Sequence, residues 1–262
     1  MKFTVLIENT ACREDLTAEH GLSLYLEAGG QRILFDAGQS GAFADNAQKL
    51  GIDLSQVDLC ILSHGHYDHG GGLKRFLELN DHAKVYVSRH AFGDYYNAED
   101  KFIGLDWELL NDDRITFVGD NLTLSDALSL HTCPNFPQPY FTDAYGLQAQ
   151  RKGQLAPDDF RHEMYLLIRE GERRIIVSGC SHRGVMNIKT WFAPDVFIGG
   201  FHLMKVDPEQ DAVRLKFTAK ELLVKDTVYY TGHCTGEKQY EALKAHMGDQ
   251  LHALRTGASF EV

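Results

Sequence analysis

Apolar and polar positions alternate through residues 3–8, 22–28 and 31–36, the two-residue period of strands with one buried face. Gly29-Gly30, between the second and third runs, is a hairpin signal. A helix is predicted over 40–50, a buried strand over 57–62 (V-D-L-C-I-L), a helix over 70–79 and a strand over 84–88. The second half repeats the rhythm. Strands are predicted near 164–169 and 173–178, then a helix at 184–192, a strand at 195–200 and a helix at 209–224. A strand at 227–231, a helix at 237–247 and a short terminal strand follow. This alternation, with a hairpin opening each half, implies sheets flanked by helices. No linker-like break interrupts it, so residues 1–262 read as one domain. The least regular stretch is 94–160, which holds Pro134, Pro137, Pro139 and Pro157 among Phe136, Tyr140, Phe141 and Tyr145. Such a segment is a lid or pocket wall, or else a mobile surface loop. Its aromatic content favours the lid.

Composition narrows the function. With 26 Lys+Arg against 37 Asp+Glu the formal charge is −11, which disfavours nucleic acid and anionic membranes as partners. The apolar run at 3–7 is too short for a signal-peptide core, and no stretch approaches a membrane span. Cys12, Cys60, Cys133, Cys180 and Cys234 are odd in number and form no C-x-x-C pair. A reducing cytoplasm is therefore expected, without a disulfide framework. The abnormal number is thirteen histidines.

Their placement carries the chemistry. Ser63-His64-Gly65-His66-Tyr67-Asp68-His69-Gly70-Gly71-Gly72 follows directly on a predicted strand. Three imidazoles and a carboxylate within six residues suit zinc or a similar divalent metal. Three more predicted strands end in histidine: at Cys180-Ser181-His182, at Gly200-Phe201-His202 and at His233-Cys234. Ligands in α/β sheets sit beyond the carboxyl ends of strands, so His182 and His233 read as metal ligands and His202 as a substrate contact. Asp36 either orients a ligand histidine or caps the following helix. Arg183 either holds an anionic group or is an exposed arginine at a helix start. His131 and His162 are unassigned, and His20, His82, His90, His246 and His252 need no function.

The H-x-H-x-D-H run, preceded by F-D-A-G, resembles the metallo-β-lactamase superfamily. Together with A-E-H-G-L-S-L, G-C-S-H-R-G, G-G-F-H-L and G-H-C-T-G it looks like one subgroup. That subgroup comprises metal-dependent hydrolases related to a methanopterin-type dihydropterin–ribofuranosylaminobenzene 5'-phosphate synthase. The resemblance implies an α+β fold, an αββα sandwich of two mixed sheets packed face to face with helices outside. It implies two divalent ions, Zn²⁺ first among Mn²⁺, Fe²⁺ and Mg²⁺. His64 and His66 match ligands of the first ion, and Asp68, His69 and His233 those of the second. The place of the usual bridging aspartate is taken by Cys180, with His182 two residues on. The usual third histidine upstream has no obvious counterpart.

Both readings converge on a hydrolase in which metal-activated hydroxide attacks a small ester-, phosphoester- or amide-type substrate. Asp68 would orient the nucleophile and shuttle a proton, and His202 would steady the developing oxyanion. His202, the Gly199-Gly200 backbone and Arg183 are candidates for holding an anionic small-molecule substrate. The alternatives are a pterin-type synthase at the same metals, redox chemistry at iron, and a metal-containing ligand-binding or regulatory protein with weak catalysis.

Overall fold

The computed structural model describes residues 1–262. One seven-stranded sheet runs Ser259–Glu261, Lys2–Ile7, Ser23–Ala28, Gln31–Phe35, Leu59–Ile61, Lys84–Ser88, Ile115–Val118. It is antiparallel up to Gln31–Phe35 and parallel from there onward. The second runs Leu251–Ala253, Val228–Thr231, Val196–Ile198, Arg173–Val177, Tyr165–Glu170, Leu128–His131, Asn121–Thr123. There the first four strands are parallel and the rest antiparallel. Both sheets are therefore mixed, as a strand–helix alternation opened by hairpins requires. Gly29 and Gly30 turn the first hairpin with φ of 57° and 74°, the left-handed pair that a two-residue hairpin loop needs.

The apolar positions of the strands divide between two faces. Leu24, Leu26, Ile33 and Phe35 of one sheet meet Leu166, Ile168, Ile175 and Val177 of the other in a core of 21 buried residues. On the outer face of the first sheet lie α1 (Ala42–Lys49), the single turn α2 (Tyr67–Gly70) and α3 (Leu73–Leu79), with Phe43, Ala47, Leu73 and Phe76 inward. The second sheet is covered by α4 (Val185–Phe192), α5 (Ala212–Leu222) and α6 (Glu237–Met247), through Ile188, Leu215, Leu222 and Leu243. The result is four layers, αββα. No helix is long and apolar enough to cross a membrane. Ile168→Val should cost about 0.5–1.5 kcal/mol, since it removes one methylene from a fully buried inter-sheet site. Urea titration checks this, with metal affinity unchanged.

Two expectations are corrected. The helix predicted over 70–79 begins at Leu73, after a separate single turn over Tyr67–Gly70, because Gly71 and Gly72 let the chain press against the loop after Phe35. A Cβ on Gly72 would lie 2.2 Å from the Ala37 carbonyl oxygen. Residues 94–160 are not irregular throughout. They hold Ile115–Val118, Asn121–Thr123 and Leu128–His131 of the main sheets. Asp94–Tyr96, Gln148–Arg151 and Gln154–Pro157 form a third, three-stranded sheet in the same stretch. Strands of three or four residues are too short to show an alternation. The longest stretch without strand or helix is the proline-rich turn over 132–147.

Candidate metal centre

Five strands run out toward one rim of the sandwich. Gln31–Phe35 leads into Asp36 and Leu59–Ile61 into Ser63–His69, both from the first sheet. Arg173–Val177 leads to Cys180 and His182, Val196–Ile198 to His202, and Val228–Thr231 to His233 and Cys234, all from the second. The backbone bends sharply there. Asp36, Ser181, His202 and His233 all have positive φ, between 48° and 59°. A non-glycine residue in that region costs about 1–3 kcal/mol, and such strain gathers at functional sites.

The turns bring donor atoms together in two adjoining groups. His64, His66 and His182 point ring nitrogens at one another, with His64 Nε2 3.2 Å from His182 Nε2. His66 Nε2 is buried and has no partner. Next to them, His69 Nε2 lies 3.2 Å from His233 Nε2, and Asp68 Oδ2 lies 3.3 Å from His233 Nε2 and 3.7 Å from His69 Nε2. Cys180 Sγ stands between the groups, 3.2 Å from His69 Nε2 and close to His64.

Hydrogen bonds at the far ring nitrogens fix which of these atoms are lone pairs. Asp36 accepts from the Ser63 N–H (2.7 Å), from Ser63 Oγ (2.7 Å) and from His69 Nδ1 (2.7 Å). Since Ser63 Oγ gives its only proton to the carboxylate, it accepts from His64 Nδ1 at 2.9 Å. His233 Nδ1 donates to Asn9 Oδ1 at 3.1 Å, and Asn9 in turn donates to the His233 carbonyl. His64, His69 and His233 therefore all carry the proton on Nδ1 and aim a bare Nε2 inward. Bare nitrogens 3.2 Å apart repel unless a cation lies between them. Tetrahedral zinc with ligands at 2.0–2.1 Å sets neighbouring nitrogens about 3.3 Å apart. These donors fit a divalent metal: His64, His66 and His182 would hold one ion, and Asp68, His69 and His233 a second, with Cys180 shared.

The electrostatics agree. Burial, with the neighbouring imidazoles, holds His64 and His182 well below their usual range. Burial and His162 push His66 down to about 3. Burial would lower His69 too, but the Asp36 and Asp68 carboxylates overcome it and raise His69 to about 9. Burial opposes ionisation of Asp68, yet His69 and His233 keep it far below the usual carboxylate range. The rim thus holds His64, His66 and His182 neutral beside an ionised Asp68, and the positive charge that Asp36 and Asp68 favour at His69 is the charge a divalent cation would supply in its place.

Other predicted residues take different places. Asp36 orients His69 and, through Ser63, His64; the following helix is capped by Gly41 instead. His202 Nε2 lies 3.3 Å from His182 Nδ1, while its Nδ1 is buried without a partner. The Gly199-Gly200 backbone does not hold an anion. The Gly200 N–H donates to the Gly179 carbonyl (2.7 Å) and the Gly199 N–H to Tyr230 (2.9 Å), so both are spent in the fold. Arg183 is not exposed. It is 4% accessible, its Nη1 donates to the carbonyls of Thr132 (2.9 Å) and Cys133 (2.8 Å), and it lies over Trp191. His131 bonds Ser129 Oγ on the outer part of its strand, in none of the donor groups. His162 accepts the Gly65 N–H at Nδ1 and donates from Nε2 to Asp158, which braces the loop between His64 and His66.

The sequence reading missed several partners. His20 lies outside the predicted site, yet its Nε2 lies 3.5 Å from Asp68 Oδ2 and its ring packs on His233. The A-E-H-G-L block was its only signal. Cys234 joins Cys180 and His202 in a further group of possible ligands. Glu163, wholly buried, accepts from the His182 and Arg183 N–H groups and so sets the turn that carries His182.

Residues 16–138 match the sequence profile of the metallo-beta-lactamase superfamily. An uncharacterized protein of Methanocaldococcus jannaschii, MJ0448, is 30% identical over 89% of this chain and 90% of its own length. From the same organism, 7,8-dihydropterin-6-methyl-4-(beta-D-ribofuranosyl)-aminobenzene-5'-phosphate synthase is 29% identical over 92% of this chain and 89% of its own. The crystal structure of Tm1679, a metal-dependent hydrolase of the beta-lactamase superfamily, superposes with a TM-score of 0.84 at 28% identity. That match covers 100% of this chain and 99% of the other. With the αββα layers, the strand-end histidines and these relatives in agreement, the chain belongs to the metallo-β-lactamase superfamily, an enzyme superfamily of divalent-metal sites.

Proposed function

We propose that this protein is a metal-dependent hydrolase of a small, anionic ester-, phosphoester- or amide-type substrate, with two divalent ions, zinc first among them. The observation that carries the reading is the inward set of bare Nε2 atoms on His64, His69 and His233, with the unpartnered His66 Nε2 beside them. A divalent cation there supplies Lewis acidity and a source of hydroxide near neutral pH. Asp68, ionised and at the rim of both His20 and His233, is placed to orient an attacking water and take its proton. His202 Nδ1 and the Tyr145 hydroxyl are buried polar atoms without partners around a hollow that touches His182. They suit the oxygen on which charge develops. All five cysteines are unpaired, which suits a reducing compartment such as the cytoplasm.

A second reading is favoured by the synthase relative, which matches over nearly the whole chain. In it the same residues hold a dihydropterin donor while an aminobenzene-type acceptor displaces its leaving group. One screen separates the two. Metal-loaded protein is offered phosphodiester, ester and lactam reporters, and separately a dihydropterin diphosphate with an aryl ribofuranoside phosphate. Turnover of a reporter that is lost in His66→Ala is expected. A joined product with no reporter turned over would replace the hydrolase reading with the synthase. Identical behaviour of wild type and His66→Ala in every assay would sink both.

A further inference from the structure

The hollow beside His182 and His202 is the first of three cavities that share lining residues, a row that forms a segmented groove. It shares Phe141 and Thr142 with a cavity lined also by Phe160 and Gln138. That cavity in turn shares Gln138, Asp159 and Arg183 with a third, of about 430 Å³, whose lining has no hydrophobic residue. At this far end stand Arg89, Arg161 and Arg183, with His90 and Asn135. Such a gathering of guanidinium groups is out of character for a chain of net charge −11.

The pairing within the cluster leaves positive charge over. Arg89 pairs with Asp120 at 2.6 Å. Asp159 serves both Arg151 and Arg161, each at 2.5 Å. Three lining arginines therefore face two lining carboxylates, and Arg151, which shares Asp159, also lies 3.5 Å from Asp158. Arg183 has no carboxylate partner. Its Nη1 is held by two carbonyls, its Nε is buried with no acceptor, and no group of the chain accepts from Nη2. This arginine is 4% accessible, and the buried Glu163 carboxylate bonds its backbone N–H rather than its guanidinium, so the guanidinium keeps donors free for an anion. The flanking aromatic residues fit the same picture. Phe160 stacks on the His182 ring at 4.5 Å, and Phe141, 83% exposed, stands over the groove between the histidines and the arginines.

We infer that the Arg89–Arg161–Arg183 end of this groove binds the phosphate group of an elongated small-molecule substrate whose reacting bond lies at the histidines. Guanidinium forks take phosphate oxygens in pairs, and two or three around one group match its double charge. Because Arg183 follows His182 directly, the backbone that carries a metal donor also carries the phosphate anchor, which fixes the distance between the two ends. The inference rests on the hydrolase reading for what happens at the histidines, but not for the anion site itself.

The probe is inorganic phosphate, followed by titration calorimetry on metal-loaded wild type, on Arg89→Gln/Arg161→Gln and on His66→Ala. Arg89 and Arg161 are about half exposed, with side-chain accessibilities of 50% and 45%, so their removal leaves the core intact. A site that survives His66→Ala and weakens about tenfold or more in the double arginine variant is expected, the loss of two charge-assisted contacts. Binding that disappears in His66→Ala and is unchanged in the arginine variant would place phosphate at the histidines and overturn the inference. So would the absence of binding in wild type. Failure of the hydrolase reading looks different: phosphate still binds wild type and His66→Ala alike, while no reporter is turned over. Arg161→Lys, which keeps the charge and loses the fork, should fall between wild type and the double variant.

Discussion

Asp36→Asn is expected to lower affinity for divalent metal by about 100-fold, with the fold retained. Losing a hydrogen-bond partner of a metal-ligating histidine costs about 10–100-fold in metal affinity, and this carboxylate supports two of them. Asparagine can still accept the Ser63 N–H through its carbonyl oxygen. Where Oδ2 stood, however, it presents an N–H. That group donates to Ser63 Oγ, whose proton then turns toward His64 Nδ1. The His64 tautomer is reversed and its Nε2 becomes a donor. His69 loses its anchor as well, since its Nδ1–H no longer meets an acceptor at 2.7 Å. One oxygen-to-nitrogen exchange thus disables a donor in each group. Competition with a chromophoric chelator measures the affinity, and circular dichroism confirms the fold. Metal binding equal to wild type would show that Asp36 sets neither tautomer.

Removing the metal should have the second large effect. A ligand that binds only the native state at 1,000 times its Kd stabilises it by about 4 kcal/mol. For a domain near this size each kcal/mol moves Tm by about 2–4 °C. Chelator treatment is therefore expected to lower Tm by about 8–16 °C, and restoring one ion per donor group should recover it. The direction follows from the lone pairs that face one another between His69 and His233 at 3.2 Å, and from the buried His66 Nε2 that has no partner in the chain. Scanning calorimetry before and after chelation decides the matter. An unchanged Tm would mean that these nitrogens are satisfied within the chain.

How much of this was legible in the sequence depends on distance along the chain. His64, His66, Asp68 and His69 lie within six residues, so their common purpose shows without a structure. His182, His202 and His233 were visible because each ends an apolar run, and parallel strands deliver their ends to one rim. What stayed hidden was held by partners far apart in sequence. The bond from Gly65 N–H to His162 spans 97 residues and that from the His233 N–H to Glu8 spans 225. No local pattern announces such pairs. His20 was hidden for a different reason: one imidazole outside any strand end looks like any surface histidine. The Gly199-Gly200 assignment failed because a turn of small residues advertises free amides, whereas the parallel ladder continues one step beyond the strand and uses them. The short strands within 94–160 escaped since three or four residues cannot establish a period.

The strand-end donors have a further consequence, for how the protein is made. Four of them, His64, His66, Asp68 and His69, lie within the first 69 residues, and the rest come from 180 onward. Neither half of the sandwich owns a complete set for either of the two proposed ions. During synthesis the H-x-H-x-D-H segment emerges more than a hundred residues ahead of His182, so any ion it meets is held by an open, exchangeable set. The centre closes only when the second sheet docks on the first. On the proposed centre, metal loading is expected as the last act of assembly, and a chain cut anywhere between residues 70 and 179 would keep the recognisable motif while losing the site.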